Sequence, residues 1–295
     1  AKARAIECRS LVMRFLAQAM AMALVAAGMG HIDGAQADDQ LIADPIVAKA
    51  IRGSLKKPEG KFTRADLAKV TDLDLTFTQI TDASLKEVAK LPQLERLYLN
   101  GTQITDEGLK VLAKLPKLTS LNLWRTRITD AGLSELAKLP QLRALDLSRT
   151  KITDAGLREL AKLRSLTHLW LHNTRITDMN LKEIAKLQQL VFLGLVGTEI
   201  TDTSLKEVAK LPKLSALGLS WTEITDVGVK EIIKLQQLGV LSLTKTKITD
   251  VGLKDLTKLP QLTELYLHRT RITDTAVTEF QKALPKCKIF SRFTE

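Results

Sequence analysis

The sequence predicts an α/β solenoid, a horseshoe-shaped arc with a parallel β-sheet on its concave face and short helices on its convex face. A T-x-I-T-D motif recurs every 24 residues. Each unit contains L-x-L, the period-two pattern of a strand with one buried face. Each unit then continues with G-L-x-x-L-A at helical spacing and usually ends at a proline. The motif begins at Thr78, Thr102, Thr126, Thr150, Thr174, Thr198, Thr222, Thr246 and Thr270.

Residues 1–37 read as a secretory signal peptide. Basic residues precede an uncharged apolar run over residues 15–30, and Ala35 and Ala37 satisfy the small-x-small cleavage rule. A membrane anchor is the alternative, but the run is shorter than the ~20 residues that a span needs. We therefore expect cleavage after Ala37, a secreted or periplasmic location, and no membrane span in the mature chain.

Residues 38–69 do not fit the repeat and predict an N-terminal helical cap. DPIVAKAIRGSL predicts an amphipathic helix from about Pro45 to Leu55, and a second, short helix is expected to begin near Thr63. A repeat array needs such caps because each repeat buries its leucines only against its neighbours. The cap is expected to shield the open edge of the first repeat.

Residues 70–285 hold nine units of the form L-x-x-L-x-L-x-x-T-x-I-T-D-x-G-L-x-x-L-A-K-L-P-x. Thr105 and Asp106 precede a helical portion, where either side chain suits an N-cap and the acid suits the positive end of the helix dipole. Lys114 lies at the opposite end. A calcium ladder along the aspartates is the alternative, but the closely spaced carboxylates that calcium prefers are absent. Thr102 and its equivalents are expected to bond loop backbone.

Residues 286–295 predict a C-terminal cap. The repeat slips by one residue at FQKALPKCKIF, and Cys287, Ile289 and Phe290 are expected to close the core. After removal of the signal peptide, Cys287 is the last cysteine, so no internal disulfide is expected. A buried, apolar role for Cys287 is favoured over a reactive thiol, because the sequence supplies no resolving cysteine.

The 24-residue unit resembles the leucine-rich repeat family over residues 70–285. It is similar to the bacterial secreted members and to the cysteine-containing repeats that carry I-T-D-x-G-L, with threonine in the slot that those repeats give to asparagine or cysteine. The resemblance implies a non-catalytic binding scaffold.

Catalytic signatures are missing from the sequence. It contains no G-x-S-x-G, H-E-x-x-H, P-loop or C-x-x-C motif, so we predict neither an enzyme nor a cofactor. His168 and His172 lie on one face of a predicted strand and could approach a transition metal. No clear third ligand accompanies them, and histidines within an aromatic surface are the favoured interpretation.

The variable strand and rim positions carry all three tryptophans and both tyrosines. Exposed aromatic rings on a rigid surface are typical of binding hot spots, although stacking between neighbouring strands is the alternative. Gly194, Gly197 and Gly218 are expected to leave room beside an apolar patch built from Trp170, Phe192, Val196 and Trp221. The predicted partner-binding residues are Tyr98, Trp124, Arg125, Arg149, His168, Trp170, His172, Phe192, Val196, Trp221, Tyr266 and His268.

The formal net charge is +11. Removal of residues 1–37, with their four basic and two acidic residues, leaves (44−4)−(33−2) = +9, which favours an acidic protein or an anionic glycan as partner. The basic excess is mild and interrupted by Glu199 and Glu223, whereas a nucleic-acid groove needs a denser stripe. The leading hypothesis is a monomeric, secreted protein-binding scaffold. A glycan-binding module in which Trp124, Trp170 and Trp221 stack on sugars is one alternative, and a structural envelope protein is another.

Overall fold

Ten short parallel strands form one sheet in the computed structural model, which describes residues 41–291. The strands pair in sequence order, and the register advances by one repeat, as when Leu73 pairs with Leu97. The fold class predicted from the repeat is confirmed. The strands are β1 (Asp72–Asp74), β2 (Arg96–Tyr98), β3 (Ser120–Asn122), β4 (Ala144–Asp146), β5 (His168–Trp170), β6 (Phe192–Gly194), β7 (Ala216–Gly218), β8 (Val240–Ser242), β9 (Glu264–Tyr266) and β10 (Lys288–Phe290).

Short helices return the chain from one strand to the next. Most have one or two turns, and two segments are 3₁₀ helices, Asp130–Gly132 and Leu181–Lys186. The α-helices are α1 (Pro45–Leu55), α2 (Arg64–Leu67), α3 (Leu85–Val88), α4 (Asp106–Leu112), α5 (Leu133–Leu136), α6 (Leu157–Leu160), α7 (Asp202–Val208), α8 (Asp226–Ile232), α9 (Asp250–Leu256) and α10 (Asp274–Ala283).

The core consists of the leucine and isoleucine positions of the repeat. Leu97, Leu99, Ile104 and Leu109 are each fully buried, and so are most of their equivalents along the array. In the last repeat, Ile272 and Val277 are partly buried. A single repeat could not exclude water from these side chains, so stacking supplies the burial. The core therefore runs between the sheet and the helices as one continuous apolar layer.

The threonine and aspartate of I-T-D have separate roles. Thr105 caps its own helix, since its hydroxyl accepts a hydrogen bond from the N–H of Glu107. The Asp82 carboxylate instead crosses to the next repeat, where it accepts bonds from the N–H and the hydroxyl of Thr105, at 2.9 and 2.6 Å. The expectation that the aspartate serves its own helix as a cap is therefore incomplete, because its hydrogen bonds tie consecutive repeats together.

The same link between repeats explains why Gly108, three residues after Thr105, has no side chain. A Cβ placed on Gly108 would lie 2.5 Å from Oδ1 of Asp82, so a side chain there would push the carboxylate away. Where serine replaces this glycine, the hydroxyl of Ser204 donates a hydrogen bond to Asp178. Five of the nine repeats have glycine here, and the close approach of two repeats, rather than backbone conformation, favours it. Asn180 and Ala276 take the position in two other repeats, where the aspartate keeps its bonds to the threonine.

The threonine that begins each motif bonds loop backbone, as predicted. Its hydroxyl donates to the carbonyl of the leucine three residues earlier, at 2.6 Å from Thr102 to Leu99. The lysine at the helix end has an acidic partner, not predicted from the sequence, in every repeat except that of Lys114, where Val111 takes the place of the acid. Lys138 forms an ion pair with Glu135 at 2.7 Å, and this spacing recurs in most repeats. The charge of these helix-end lysines is thus matched within their own repeats.

Both predicted helices of the N-terminal cap are present. Asp44 caps α1 by accepting bonds from the N–H groups of Ile46 and Val47, and Thr63 caps α2. Burial raises the pKa of Asp44, but hydrogen bonds from Ser84, Val47 and Ile46 outweigh it and lower that pKa below its usual value. The bond from Ser84 places Asp44 where a preceding repeat would supply its aspartate.

At the other end, Cys287 is buried as predicted. Burial, together with the charge of Glu264, raises the pKa of its thiol to about 11. The tenth strand, β10, was not predicted. The one-residue shift of the repeat expected at this end does not affect β10, because Ile289 pairs in register with Leu265. The predicted signal peptide, the first residues of the N-terminal cap and the last four of the C-terminal cap lie outside the described residues.

Candidate binding surface

Two residues in each repeat form the rim of the sheet. The first precedes the T-x-I-T-D threonine, and the second follows it. The first adopts the left-handed conformation throughout the array, with φ between 53° and 61° at its non-glycine residues. Its N–H bonds to the neighbouring repeat, as from Arg125 to the Ser148 carbonyl at 2.9 Å. The left-handed residues are Phe77, Gly101, Arg125, Arg149, Asn173, Gly197, Trp221, Lys245 and Arg269.

The predicted apolar patch is largely buried, so its expected exposure is wrong. Trp170 is 4% exposed, His172 is 3% exposed, Phe192 is fully buried and Val196 is 9% exposed. Strands β5 and β6 lie side by side, which brings the rings of Trp170 and Phe192 to 4.9 Å and those of His168 and Phe192 to 6.3 Å. Cross-strand stacking, the alternative raised from the sequence, accounts for this cluster.

Gly194 does not leave open space, which corrects a second expectation. The imidazole of His172 lies over it, so that a Cβ on Gly194 would be 2.6 Å from Nε2. Nδ1 of His172 accepts a hydrogen bond from the N–H of Val196 at 3.1 Å. Burial lowers the pKa of His172 to about 3, so the ring is neutral. His172 therefore supports the backbone of the next repeat.

Asp146 and Ser148 extend this polar network and were missed from the sequence. The N–H of Ser148 donates to Asp146 at 2.9 Å, and the N–H of His172 donates to the Ser148 hydroxyl at 3.1 Å. Burial raises the pKa of Asp146 to about 6, against the bonds from Ser148 that lower it. These residue types also form hydrolase triads, but the contact from His172 to Ser148 uses backbone, so the imidazole is not placed to activate that hydroxyl.

Metal binding finds no support around the two histidines. The nearest partner of His168 Nδ1 is the hydroxyl of Thr167 at 2.9 Å, while His172 Nδ1 is occupied by Val196. Among residues 41–291, no three histidine, cysteine, aspartate or glutamate side chains are grouped so that they could hold a metal ion.

Three side chains form an accessible patch on the rim of the first repeats. Phe77, which was not among the predicted binding residues, is 49% exposed. Its ring meets Trp124 edge to face with centroids 5.9 Å apart, and Arg149 Cζ lies 5.8 Å from the centroid of Trp124. We call Phe77, Trp124 and Arg149 the rim patch. Arg125 lies exposed between Gly101 and Arg149 in the left-handed row.

The remaining predicted residues lie apart from that patch. Trp221 is half-buried and carries Lys245 Nζ 3.8 Å from its ring centroid. Tyr266 stacks on Phe290 at 4.5 Å, and His268 follows it on the same strand end. The structure thus divides the predicted site into a buried centre and two separate accessible ends.

Tyr98 lines a cleft between helix α1 and the first strands. The cleft has a volume of about 560 Å³ and is also lined by Lys49, Asp72 and Asp74. Asp72 forms an ion pair with Arg96. Burial raises the pKa of Tyr98, so its hydroxyl is neutral near pH 7.

Comparison with known families agrees with this geometry. Residues 127–289 match the profile described as leucine-rich repeat region. The chain belongs to the leucine-rich repeat family. Two further leucine-rich repeat profiles match residues 92–138 and 67–89. No protein of curated function matches this chain significantly.

Solved bacterial structures share the fold. Internalin C2 of Listeria monocytogenes is 28% identical with a TM-score of 0.63, over 83% of this chain and all of that one. A leucine-rich repeat protein of Leptospira interrogans is 26% identical with a TM-score of 0.58, over 77% of this chain and 62% of its own. Internalin F of Listeria monocytogenes, at 21% identity and a TM-score of 0.51 over 87% and 97% of the two chains, shows the fold alone.

Proposed function

We propose that this leucine-rich repeat protein is a secreted, non-catalytic scaffold that binds a protein partner through the concave face and the rim of its array. The observation that carries the proposal is the rim patch. Phe77 is a large apolar side chain that is half exposed while its backbone is left-handed. The left-handed backbone costs free energy in a residue other than glycine, and the exposed half of the ring gains nothing from burial. Contact with a partner is what such a ring supplies.

The neighbouring side chains support the same use. Trp124 and Arg149 belong to the residue types that dominate binding hot spots, and both sit against Phe77 or against each other. The patch lies on loops held by inter-repeat backbone hydrogen bonds, so little backbone freedom is left to lose on binding.

The glycan alternative is less well supported. Stacking on a sugar requires an open ring face, but Arg149 lies over Trp124 and Lys245 lies over Trp221. Trp170 is 4% exposed. A sugar would have to displace a cation or open the buried cluster at each of the three rings.

The test is capture of partners from envelope and medium by the full chain and by a Phe77→Gly, Trp124→Ala variant. Glycine suits the left-handed backbone at residue 77, so this change removes the ring without adding strain. We expect the variant to lose a protein that the wild type captures. A Trp170→Ala, Trp221→Ala variant is a poor probe, because Trp170 is buried and its removal would leave a cavity.

Met179→Ala provides the matched control, since Met179 is an apolar side chain that is 77% exposed away from the rim. It should capture the partner as the wild type does. Equal capture by all three proteins would contradict the proposal.

Secretion rests on the sequence of residues 1–37. Across residues 41–291, no helix combines the length and apolar character that crossing a membrane requires. Expression of the full chain followed by N-terminal sequencing of the exported product tests the cleavage, which we expect after Ala37. Retention of an uncleaved chain in the cytoplasm would contradict it.

A further inference from the structure

The rim of the third to fifth repeats concentrates positive charge without matching acids. Its first row holds Arg125 and Arg149, and its second row, after the threonine, holds Arg127, Lys151 and Arg175. We call these five residues the cationic strip. All are exposed except Arg149, which is half-buried. No member forms an ion pair with any residue in the part of the chain that the structure describes.

Backbone hydrogen bonds hold the second row in register. The N–H groups of Arg127, Lys151 and Arg175 donate to the carbonyls of Ile104, Ile128 and Ile152, at 3.0, 3.0 and 3.1 Å. These bonds form a second parallel ladder beside the sheet, in which successive repeats are ~4.8 Å apart. The cations therefore project from a rigid row at short spacing.

The lysines at the helix ends of the same repeats provide a comparison for the rim. Lys138, Lys162 and Lys186 each form an ion pair with a glutamate three residues earlier, at 2.7 to 2.8 Å. In these repeats the lysine at each helix end is matched by an acid of its own repeat, whereas the five rim cations have no such partner within residues 41–291. Arg158 and Lys182 also lack an ion pair among the described residues, but they lie singly on the helices and not in a continuous row. Guanidinium groups in such a row suit carboxylates, which they bind with two parallel hydrogen bonds.

The strip is bounded on both sides. Glu199 and Glu223 occupy the second row in the following two repeats, and Glu223 forms an ion pair with Lys247. Gln79 and Gln103 occupy it in the first two repeats, beside the exposed ring of Phe77. A uniformly charged polymer that continued along the array would meet Glu199. A short acidic run flanked by an apolar residue matches the strip and the ring together.

We propose that the cationic strip binds an acidic polypeptide segment, with carboxylates on Arg127, Lys151 and Arg175 and an adjoining apolar side chain on Phe77. This inference rests on the proposed protein-binding function and names the chemistry of the partner. It excludes nucleic acid and sulfated glycan as the preferred occupants.

The test uses the full chain and a fluorescein-labelled peptide of five glutamates followed by two leucines. The rim variant is Arg127→Gln, Lys151→Gln, Arg175→Gln, which introduces the residue that the first two repeats already carry. The control variant is Lys138→Gln, Lys162→Gln, Lys186→Gln, which changes net charge equally in the same three repeats. We expect the rim variant to weaken peptide binding at least tenfold and the control less than twofold.

Three results would overturn the inference. One is equal weakening by both variants, which would mean that binding follows net charge. Another is no measurable binding of the peptide to the wild type. The third is tighter binding of a heparin hexasaccharide or of oligo-dT than of the peptide, with the same loss in the rim variant.

The proposed function can fail separately. If the Phe77→Gly, Trp124→Ala variant loses its captured partner while the rim variant keeps it, protein binding stands and the acidic-segment inference falls. If the rim variant loses the peptide while the Phe77→Gly, Trp124→Ala variant keeps every captured protein, the role of the cationic strip is supported and the proposed role of the rim patch is contradicted.

Discussion

At the scale of single residues, the left-handed position of each repeat is the feature that links fold and function. Glycine and asparagine are the ordinary residues for φ near +60°. Three repeats use them, at Gly101, Asn173 and Gly197, whereas Phe77 and Trp221 place aromatic rings on the same backbone. Since the fold can be built with glycine here, the rings reflect another requirement.

Replacement of Phe77 by glycine and by alanine should separate backbone strain from loss of the ring. Both changes remove the contact with Trp124, but only glycine relieves the left-handed backbone. We expect Phe77→Gly to exceed Phe77→Ala in free energy of unfolding by about 1 kcal/mol. Urea denaturation of both variants measures the difference. At Thr76, whose φ is not positive, the alanine variant should have a higher free energy of unfolding than the glycine variant. Equal free energies of unfolding for Phe77→Ala and Phe77→Gly would contradict the assignment of strain to the backbone of residue 77.

At the scale of the repeating element, the link from aspartate to threonine holds one repeat against the next. Asp130 accepts bonds from the N–H and the hydroxyl of Thr153 at 2.9 and 2.5 Å, and its Oδ1 occupies the space where Gly156 would carry a Cβ. The spacing between repeats is therefore set by this carboxylate as well as by the leucines.

Substitution at Gly156 tests that account. Gly156→Ala should lower the free energy of unfolding by about 1–3 kcal/mol, because the methyl group displaces the carboxylate of Asp130. Gly156→Ser should cost less, since its hydroxyl can donate to Asp130 as Ser204 donates to Asp178. Thermal unfolding followed by circular dichroism would measure both. A serine variant no more stable than the alanine variant would refute the role of the hydroxyl.

The sequence was sufficient for the elements that depend on local period. Leucine spacing predicted the strands, and DPIVAKAIRGSL predicted α1 at its observed bounds. Strand β10 escaped because Lys286 replaces the first leucine of the pattern. The burial of Trp170 escaped for a different reason. It depends on Phe192, one repeat away, and periodicity identifies a face without showing how tightly neighbouring side chains fill it.

The left-handed row could have been inferred from Gly101, Asn173 and Gly197, but the larger residues at the equivalent positions concealed the pattern. Trp124 and Arg149 of the rim patch were predicted to bind, but Phe77 was left out for this reason. The cationic strip was visible as an excess of arginine. Its significance needed the ion pairs of the helical side, which show that acids are available elsewhere in the same repeats.

At the scale of the whole array, the N-terminal cap completes the first repeat rather than resting beside it. Val47 and Ile51 of α1 are fully buried. Lys90 Nζ donates to the carbonyl of Leu41 at 2.9 Å, and the Ser54 hydroxyl donates to the carbonyl of Asp72 at 2.9 Å. In a solenoid, stability is the sum of repeat terms and nearest-neighbour contacts, so a cap with this interface should unfold together with the repeats.

Ile51→Ala tests this coupling. Removing the buried side chain should lower the free energy of unfolding by about 2–5 kcal/mol, because of lost transfer energy and a cavity. Ile46→Ala is the control, because Ile46 is only partly buried and its substitution should lower the free energy of unfolding less. If the cap and array form one cooperative unit, Ile51→Ala should shift a single urea transition to lower concentration. A small early transition, followed by unfolding of the array at the wild-type midpoint, would mean instead that α1 can detach without opening the first repeat.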